Sequence, residues 1–169
     1  MRYVKIFLFL IFSGLTIRSA AQTTNYQVYA LFVVNIAKYS EFPNLVADMH
    51  ITVYGKSKVF DELAKQNGKS VNGHPLKITQ TDNLTELSQP QIIYIADGKS
   101  ASLDEIIKAT EGKHVMIICE REGLYKKGAG FSFIITENSN LRFDINNTEL
   151  EKRQIKVSKS LSALANAAI

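Results

Sequence analysis

The chain has too little cysteine to staple itself. Of 169 residues only Cys119 is a cysteine, so no internal disulfide can form and the fold must rest on its core. Cys119 ends the apolar run Val115-Met-Ile-Ile-Cys119, which marks it as a small buried core residue rather than a reactive thiol. Long hydrophobic runs are missing too. The apolar stretch Ile6–Leu15 is too short to span a bilayer, and nothing after it approaches the length of a membrane helix. With Arg2 and Lys5 before it and Ser19-Ala20-Ala21 after it, this stretch reads as a secretory signal peptide over residues 1–21, cleaved before Gln22. No cysteine near that point could take a lipid, so the exported product is expected to be soluble.

Charge of one sign is also scarce. The precursor carries 20 basic and 16 acidic residues, but Arg2, Lys5 and Arg18 leave with the signal, so residues 22–169 hold about +1. No basic stripe remains to argue for nucleic acid. The commonest catalytic patterns are absent as well. Gly-Lys-Ser occurs at 55–57, 68–70 and 98–100, but a phosphate-cradling loop also needs a glycine five residues before the first of these, and those positions hold His50, Leu63 and Ile93. His50, His74 and His114 show no metal-ligand spacing, and no Gly-x-Ser-x-Gly elbow occurs. The expectation is therefore no enzyme, with no catalytic residue, metal, cofactor or disulfide.

What is present is an alternation of helix and strand patterns. Tyr26 to Phe42 reads as a helix with Val28, Leu31, Phe32, Ile36 and Tyr39 on one face, ended by Pro43. Met49–Tyr54 is a β-branched strand. Ser57 caps a helix over Lys58–Gln66 that stops at Asn67-Gly68. Asn72-Gly73 turns into a strand over Pro75–Gln80, with Pro75 at an edge or strand start. Gln91–Ala96 and His114–Cys119 are apolar strands around a helix that opens with the capping box Ser102–Glu105 and ends at Gly112. Phe131–Thr136 and Leu141–Ile145 form a hairpin. Thr148–Glu151 is a second capping box, and Ser158–Ala168 a last helix with Leu161, Leu164 and Ala165 on one face. Helices between strands imply crossovers and a largely parallel sheet. The expected fold is a single three-layer α/β domain over residues 22–169, with helices on both faces of the sheet and an antiparallel edge hairpin near the C-terminus.

Two places are candidates for function. The first helix carries Asn35, Lys38 and Glu41 at intervals of three in an otherwise apolar run, beside Tyr39 and Phe42. These five residues are either the solvent side of the helix or a partner surface, since aromatics among few charges suit an interface core. A third reading has Asn35 and Lys38 pin the helix end against the strand from Arg142 to Asn146. The second place is a ligand loop at the strand ends, from Asp97, Gly98, Lys126 and Gly128, where α/β proteins often bind.

Asn35-Ile-Ala-Lys-Tyr-Ser-Glu-Phe-Pro43 resembles the N-F-A-K-F-x-E-W-P signature of the YfiR-like family. Further matches follow in order: Val53-Tyr-Gly55, Gly68–Leu76 (GKSVNGHPL), Gln91–Ala96, Gly128–Phe133, Leu141–Asn146 (LRFDIN) and Ile155–Ser158 with Leu161 and Leu164. The resemblance covers nearly all of residues 26–168. It implies a periplasmic regulator that holds the sensing part of a membrane diguanylate cyclase inactive. An outer-membrane lipoprotein sequesters such regulators, and some of them dimerise; related domains occur with histidine kinases. The relatives' redox-responsive disulfides do not carry over to a chain with one cysteine. The alternative from another class is a periplasmic small-ligand binding protein, and a third is a hydrolase whose residues meet only in three dimensions.

Overall fold

The computed structural model describes residues 20–87 and 90–169, with side chains from Tyr26 onward. The expected signal peptide lies outside the described residues except for Ala20 and Ala21, which begin the first helix. The elements are α1 (Ala20–Lys38), β1 (Ser40–Glu41), β2 (Met49–Tyr54), α2 (Lys58–Ala64), β3 (Ser70–Val71), β4 (His74–Thr81), β5 (Ile92–Ile95), α3 (Leu103–Ala109), β6 (Met116–Cys119), β7 (Phe131–Ile135), β8 (Leu141–Ile145), α4 (Asn147–Lys152), β9 (Lys156–Val157) and α5 (Lys159–Ser162). Short 3-10 turns occupy Leu84–Glu86, Asp97–Ser102 and Leu124–Lys127.

Seven strands form one sheet in the order β3-β4-β2-β5-β6-β7-β8. The five central strands run parallel, and β3 and β8 pair antiparallel at the two edges. The alternation of the strands builds two cores. Met49, Ile51, Val53, Ile92, Tyr94, Met116, Ile118, Phe131 and Phe133 face α1 and α2, where Val33, Ile36, Ala37, Val59 and Leu63 meet them. Ile93, Ile95, Ile117 and Cys119 face the other way, against Leu103 and Ile106 of α3. Strands buried on both faces read as unbroken apolar runs, which is why β5 and β6 show no polar alternation. This is the expected three-layer, largely parallel fold with its C-terminal antiparallel hairpin.

Several local expectations are corrected. α1 stops at Lys38, not Phe42: Tyr39 N–H closes the last turn on Asn35 O (2.9 Å), and Ser40-Glu41 then pair with Val157-Lys156 as a small second sheet. The buried face of α1 is Tyr29, Ala30, Val33, Ile36 and Ala37, while Leu31 (56 % exposed) and Tyr39 (45 %) point outward. Ser102 caps nothing, because the chain is already in a 3-10 turn and its backbone (φ −83°, ψ 4°) is not extended. Asn146 rather than Thr148 caps α4, its side chain accepting from Glu149 N–H at 2.8 Å. The last helix ends at Ser162. Beyond it residues 166–169 lie along β8, with Asn166 N–H on Phe143 O, Ile145 N–H on Ala167 O, Ile169 N–H on Ile145 O and Asn147 N–H on Ile169 O. Pairing with an otherwise bare edge strand satisfies backbone groups that a frayed helix end would leave open. Pro75 is the second residue of β4, which is interior to the sheet, and the Asn72-Gly73 turn (φ 53° and 84°) joins it to β3.

Candidate functional site

The chain passes from β2 to β4 on one side and then to β5 on the other, so the strand order reverses between β2 and β5. A crevice outside the carboxyl ends of the strands at such a point is where open α/β sheets bind ligands. Here the protein's own groups bridge the strand ends. Glu120, just past β6, accepts from the Ser57 hydroxyl (3.1 Å) and from Asp97 N–H (3.3 Å), tying the ends of β2, β5 and β6 together. Asp97 is held by Arg121, Nε to Oδ1 at 2.8 Å, and that hydrogen bond lowers its pKa. Gly55, with φ +96°, leaves no room for a side chain, since a Cβ there would sit 2.5 Å from Lys99 Cγ. Lys99 itself lies over the Tyr54 ring and 3.6 Å from Asp82.

The expected ligand loop divides at this point. Asp97 and Gly98 follow β5, while Lys126 lies in the turn after β6, its amine over the neighbouring Tyr125 ring at 5.6 Å. No hydrogen bond or ion pair joins Asp97 to Lys126 among the described residues. Gly128 (φ +102°) is packed so that a Cβ would reach within 2.8 Å of Ile107 Cδ1, a structural reason for the glycine. Beneath the crevice Tyr94 is fully buried, and its hydroxyl has no hydrogen-bond partner among the described residues. Burial, then the nearby Glu120 carboxylate, pushes its pKa well up, and the Tyr29 pKa rises to about 12 mainly through burial.

The first candidate fares differently. Gln27, Leu31, Asn35 and Lys38 are exposed and mark the outer side of α1, and Tyr39 just past its end and Glu41 in β1 are exposed as well. Phe42 turns inward against the core. The stripe does not pin α1 to β8: Asn35 and Lys38 make no side-chain hydrogen bond to Arg142–Asn146 among the described residues. Lys38 Nζ rests 5.7 Å over the Tyr39 ring, and its carbonyl accepts from the Asn72 side chain. Lys38, Tyr39, Ser40 and Glu41 line a half-open groove of about 630 Å3 together with Asn72 and with Lys156, Val157, Ser158 and Lys159 of the adjacent segment. The β1–β9 pairing and the bond from Ser158 N–H to Tyr39 O (2.9 Å) hold the two segments together.

Sequence reasoning did not find Asn72, Lys156 and Lys159 as members of this site. They stand far from Lys38 in the chain, and only the β1–β9 pairing brings them to it. The Lys-Val-Ser-Lys pattern around Ser158 was visible, but spacing alone gave no reason to join it to Lys38. A second cleft, of about 500 Å3, is lined by His114, shortly before β6, by residues of α3 and by Arg153 at the end of α4. Arg153 is buried there and fully engaged, donating to Glu149 (2.7 Å), Thr110 Oγ1 (3.0 Å) and Val115 O (3.1 Å). Among the described residues, no group of three or more His, Cys, Asp or Glu could hold a metal ion, and no helix is long and apolar enough to cross a membrane.

A doubly wound α/β domain with exposed side chains on one helix and a groove at its end has the form of a binding domain. The sequence matches the YfiR/HmsC-like family over residues 26–166, and the chain belongs to that family. Membership implies a regulatory domain of the periplasm, in the setting of diguanylate-cyclase signalling. No curated protein matches the chain. Among solved structures it is similar to the ABC domain of Streptococcus pneumoniae in complex with L-Trp, at 13% identity and a TM-score of 0.56 over 80% of this chain and 59% of that one. It is also similar to a conserved domain protein of Vibrio cholerae O1 biovar El Tor, at 14% identity and a TM-score of 0.57 over 85% of this chain and 60% of that one. The chain thus spans about three fifths of each, and these likenesses show the fold alone.

Proposed function

We propose that this protein is an exported binding regulator that controls a membrane signalling receptor, a diguanylate cyclase or a histidine kinase, through the receptor's periplasmic part. The observation that carries the reading is the outer side of α1. Leu31, Asn35 and Lys38, with Tyr39 just past the helix end, stand exposed in a chain of the YfiR/HmsC-like family, on an element whose other side is locked to the sheet. A rigid element presenting an apolar and an aromatic side chain among few charges suits protein recognition. Binding one receptor state more tightly than the other shifts the receptor's equilibrium, and a competitor that removes the regulator, such as an outer-membrane lipoprotein, reverses the shift.

The test is a capture experiment. Tagged residues 22–169 are incubated with detergent-solubilised membranes of the protein's own cell, and retained proteins are identified by mass spectrometry. Specific retention of a membrane cyclase or kinase, lost on changing Leu31→Asp and Tyr39→Asp, is the expected result. No retention, even after mild cross-linking, sinks the reading. The small-ligand alternative has less support, because the charged groups at the switch point are engaged with one another.

A further inference from the structure

The groove between the α1 end with β1 and the β9–α5 segment is basic. Three ammonium groups line it, from Lys38, Lys156 and Lys159, against one carboxylate, Glu41. None of the four takes part in an ion pair among the described residues. The described ion pairs instead join Lys65–Glu62, Lys99–Asp82, Arg121–Asp97, Lys152–Glu149 and Arg153–Glu149. The groove thus carries a local excess of two positive charges on a chain whose residues 22–169 total about +1, leaving the remainder slightly negative. The Tyr39 ring, 45 % exposed, supplies an aromatic contact at the mouth, and Leu31 an apolar one two turns back along α1.

We infer that this groove seats an acidic polypeptide segment of the partner, a deduction that rests on the regulator reading above and names the chemistry of its contact. Lysines on adjacent segments of the groove, with no ion-pair partner among the described residues, attract carboxylates, steering encounter and fixing register. The lysines are exposed and not backed by buried donors, so a small anion finds no convergent cage. A cleft of about 630 Å3 with an aromatic lip instead takes side chains of an extended or helical segment. Lys38, Lys156 and Lys159 border a concave groove of about 630 Å3, which a flat lipid surface does not enter.

The test titrates residues 22–169, followed by amide NMR, with three probes: an octameric glutamate peptide, inorganic phosphate, and vesicles of anionic phospholipid. With the peptide, shifts are expected at residues 38–41, 72 and 156–159. They weaken as salt rises from about 0.05 to about 0.5 M. The Lys156→Gln/Lys159→Gln variant, which sets no like charge opposite Glu41, weakens peptide binding about fivefold or more, whereas Lys127→Gln does not. All three lysines are exposed, so circular dichroism and Tm should match wild type and exclude misfolding. Peptide shifts absent from the groove overturn the inference. So do equal shifts with phosphate, or stronger engagement of the vesicles than of the peptide. The capture experiment separates the two failures. A receptor retained equally by wild type and the double variant refutes the groove and leaves the regulator reading intact. A receptor retained by neither refutes the regulator reading, and the titration still decides the groove.

Discussion

At the scale of the residue, Asn146 does two jobs. Its side-chain oxygen accepts from Glu149 N–H, and its amide donates to Tyr125 O at 2.8 Å in a buried position. It thereby caps α4 and ties the β8 end to the turn after β6. Asn146→Ala is expected to cost about 1–3 kcal/mol in denaturant unfolding, since a cap and a buried hydrogen bond go together. Thr148→Ala should stay within about 0.5 kcal/mol, because Thr148 lies inside the helix and caps nothing. The reverse ranking would restore the capping box at Thr148. The sequence could not separate these positions. Asn146 and Thr148 are both good caps, and the choice follows from where β8 releases the chain.

At the scale of the element, residues 166–169 decide how the sheet ends. Three main-chain hydrogen bonds join them to β8 and a fourth to Asn147 at the start of α4, and Asn166 Nδ2 donates to the buried Asp144 carboxylate at 3.0 Å. Deleting residues 164–169 bares the outer edge of β8 and leaves Asp144 without that partner. A bare edge pairs with other chains. The truncated protein is expected to unfold at lower temperature and to form dimers or larger species in size-exclusion chromatography with light scattering. A truncated protein that stays monomeric with unchanged Tm would show that the segment covers nothing of consequence. The run Leu-Ser-Ala-Leu-Ala-Asn-Ala-Ala reads as helix by propensity, and short-range preference holds it helical only to Ser162. What overrides it is the unpaired strand alongside, a partner that no local pattern reveals.

At the scale of the whole molecule, burial sets the response to alkali. Cys119 is fully buried and its thiol pKa is pushed up to about 12 by desolvation; Tyr29 rises to about 12 as well. In the unfolded chain these groups ionise near 9 and 10. Between those values and about 12 the unfolded state has released protons that the native state keeps, so stability is intact below pH 9 and falls as pH rises toward 12. A Tm that drops by about 3 °C per pH unit above 9 is expected, measured by circular dichroism. Cys119→Ala should lower Tm at neutral pH but flatten its decline between pH 9 and 10. An unchanged slope would mean that Cys119 is already ionised or hydrated in the native state. The same burial predicts that thiol reagents leave native Cys119 unmodified.

The sequence by itself determined the elements whose signal is local. β2, β5 and β6 are apolar runs that only a doubly covered sheet can hide, Ser57 caps α2 and Asn72-Gly73 turns because only such residues tolerate that backbone, and helices between strands impose parallel order. The ordered motifs from Asn35 to Leu164 also carried the family. Tertiary structure alone decided what depends on distant partners. It turned Leu31 and Tyr39 outward by setting which face of α1 meets Phe133 and Phe143, and it consumed the charges at the switch point through Glu120 and Arg121. It also assembled the basic groove by pairing Ser40-Glu41 with Lys156-Val157. The physical reason is range. Caps, turns and periodicity act within a few residues, whereas a strand edge, a buried pairing or a shared groove is the product of segments that meet only when the chain has folded.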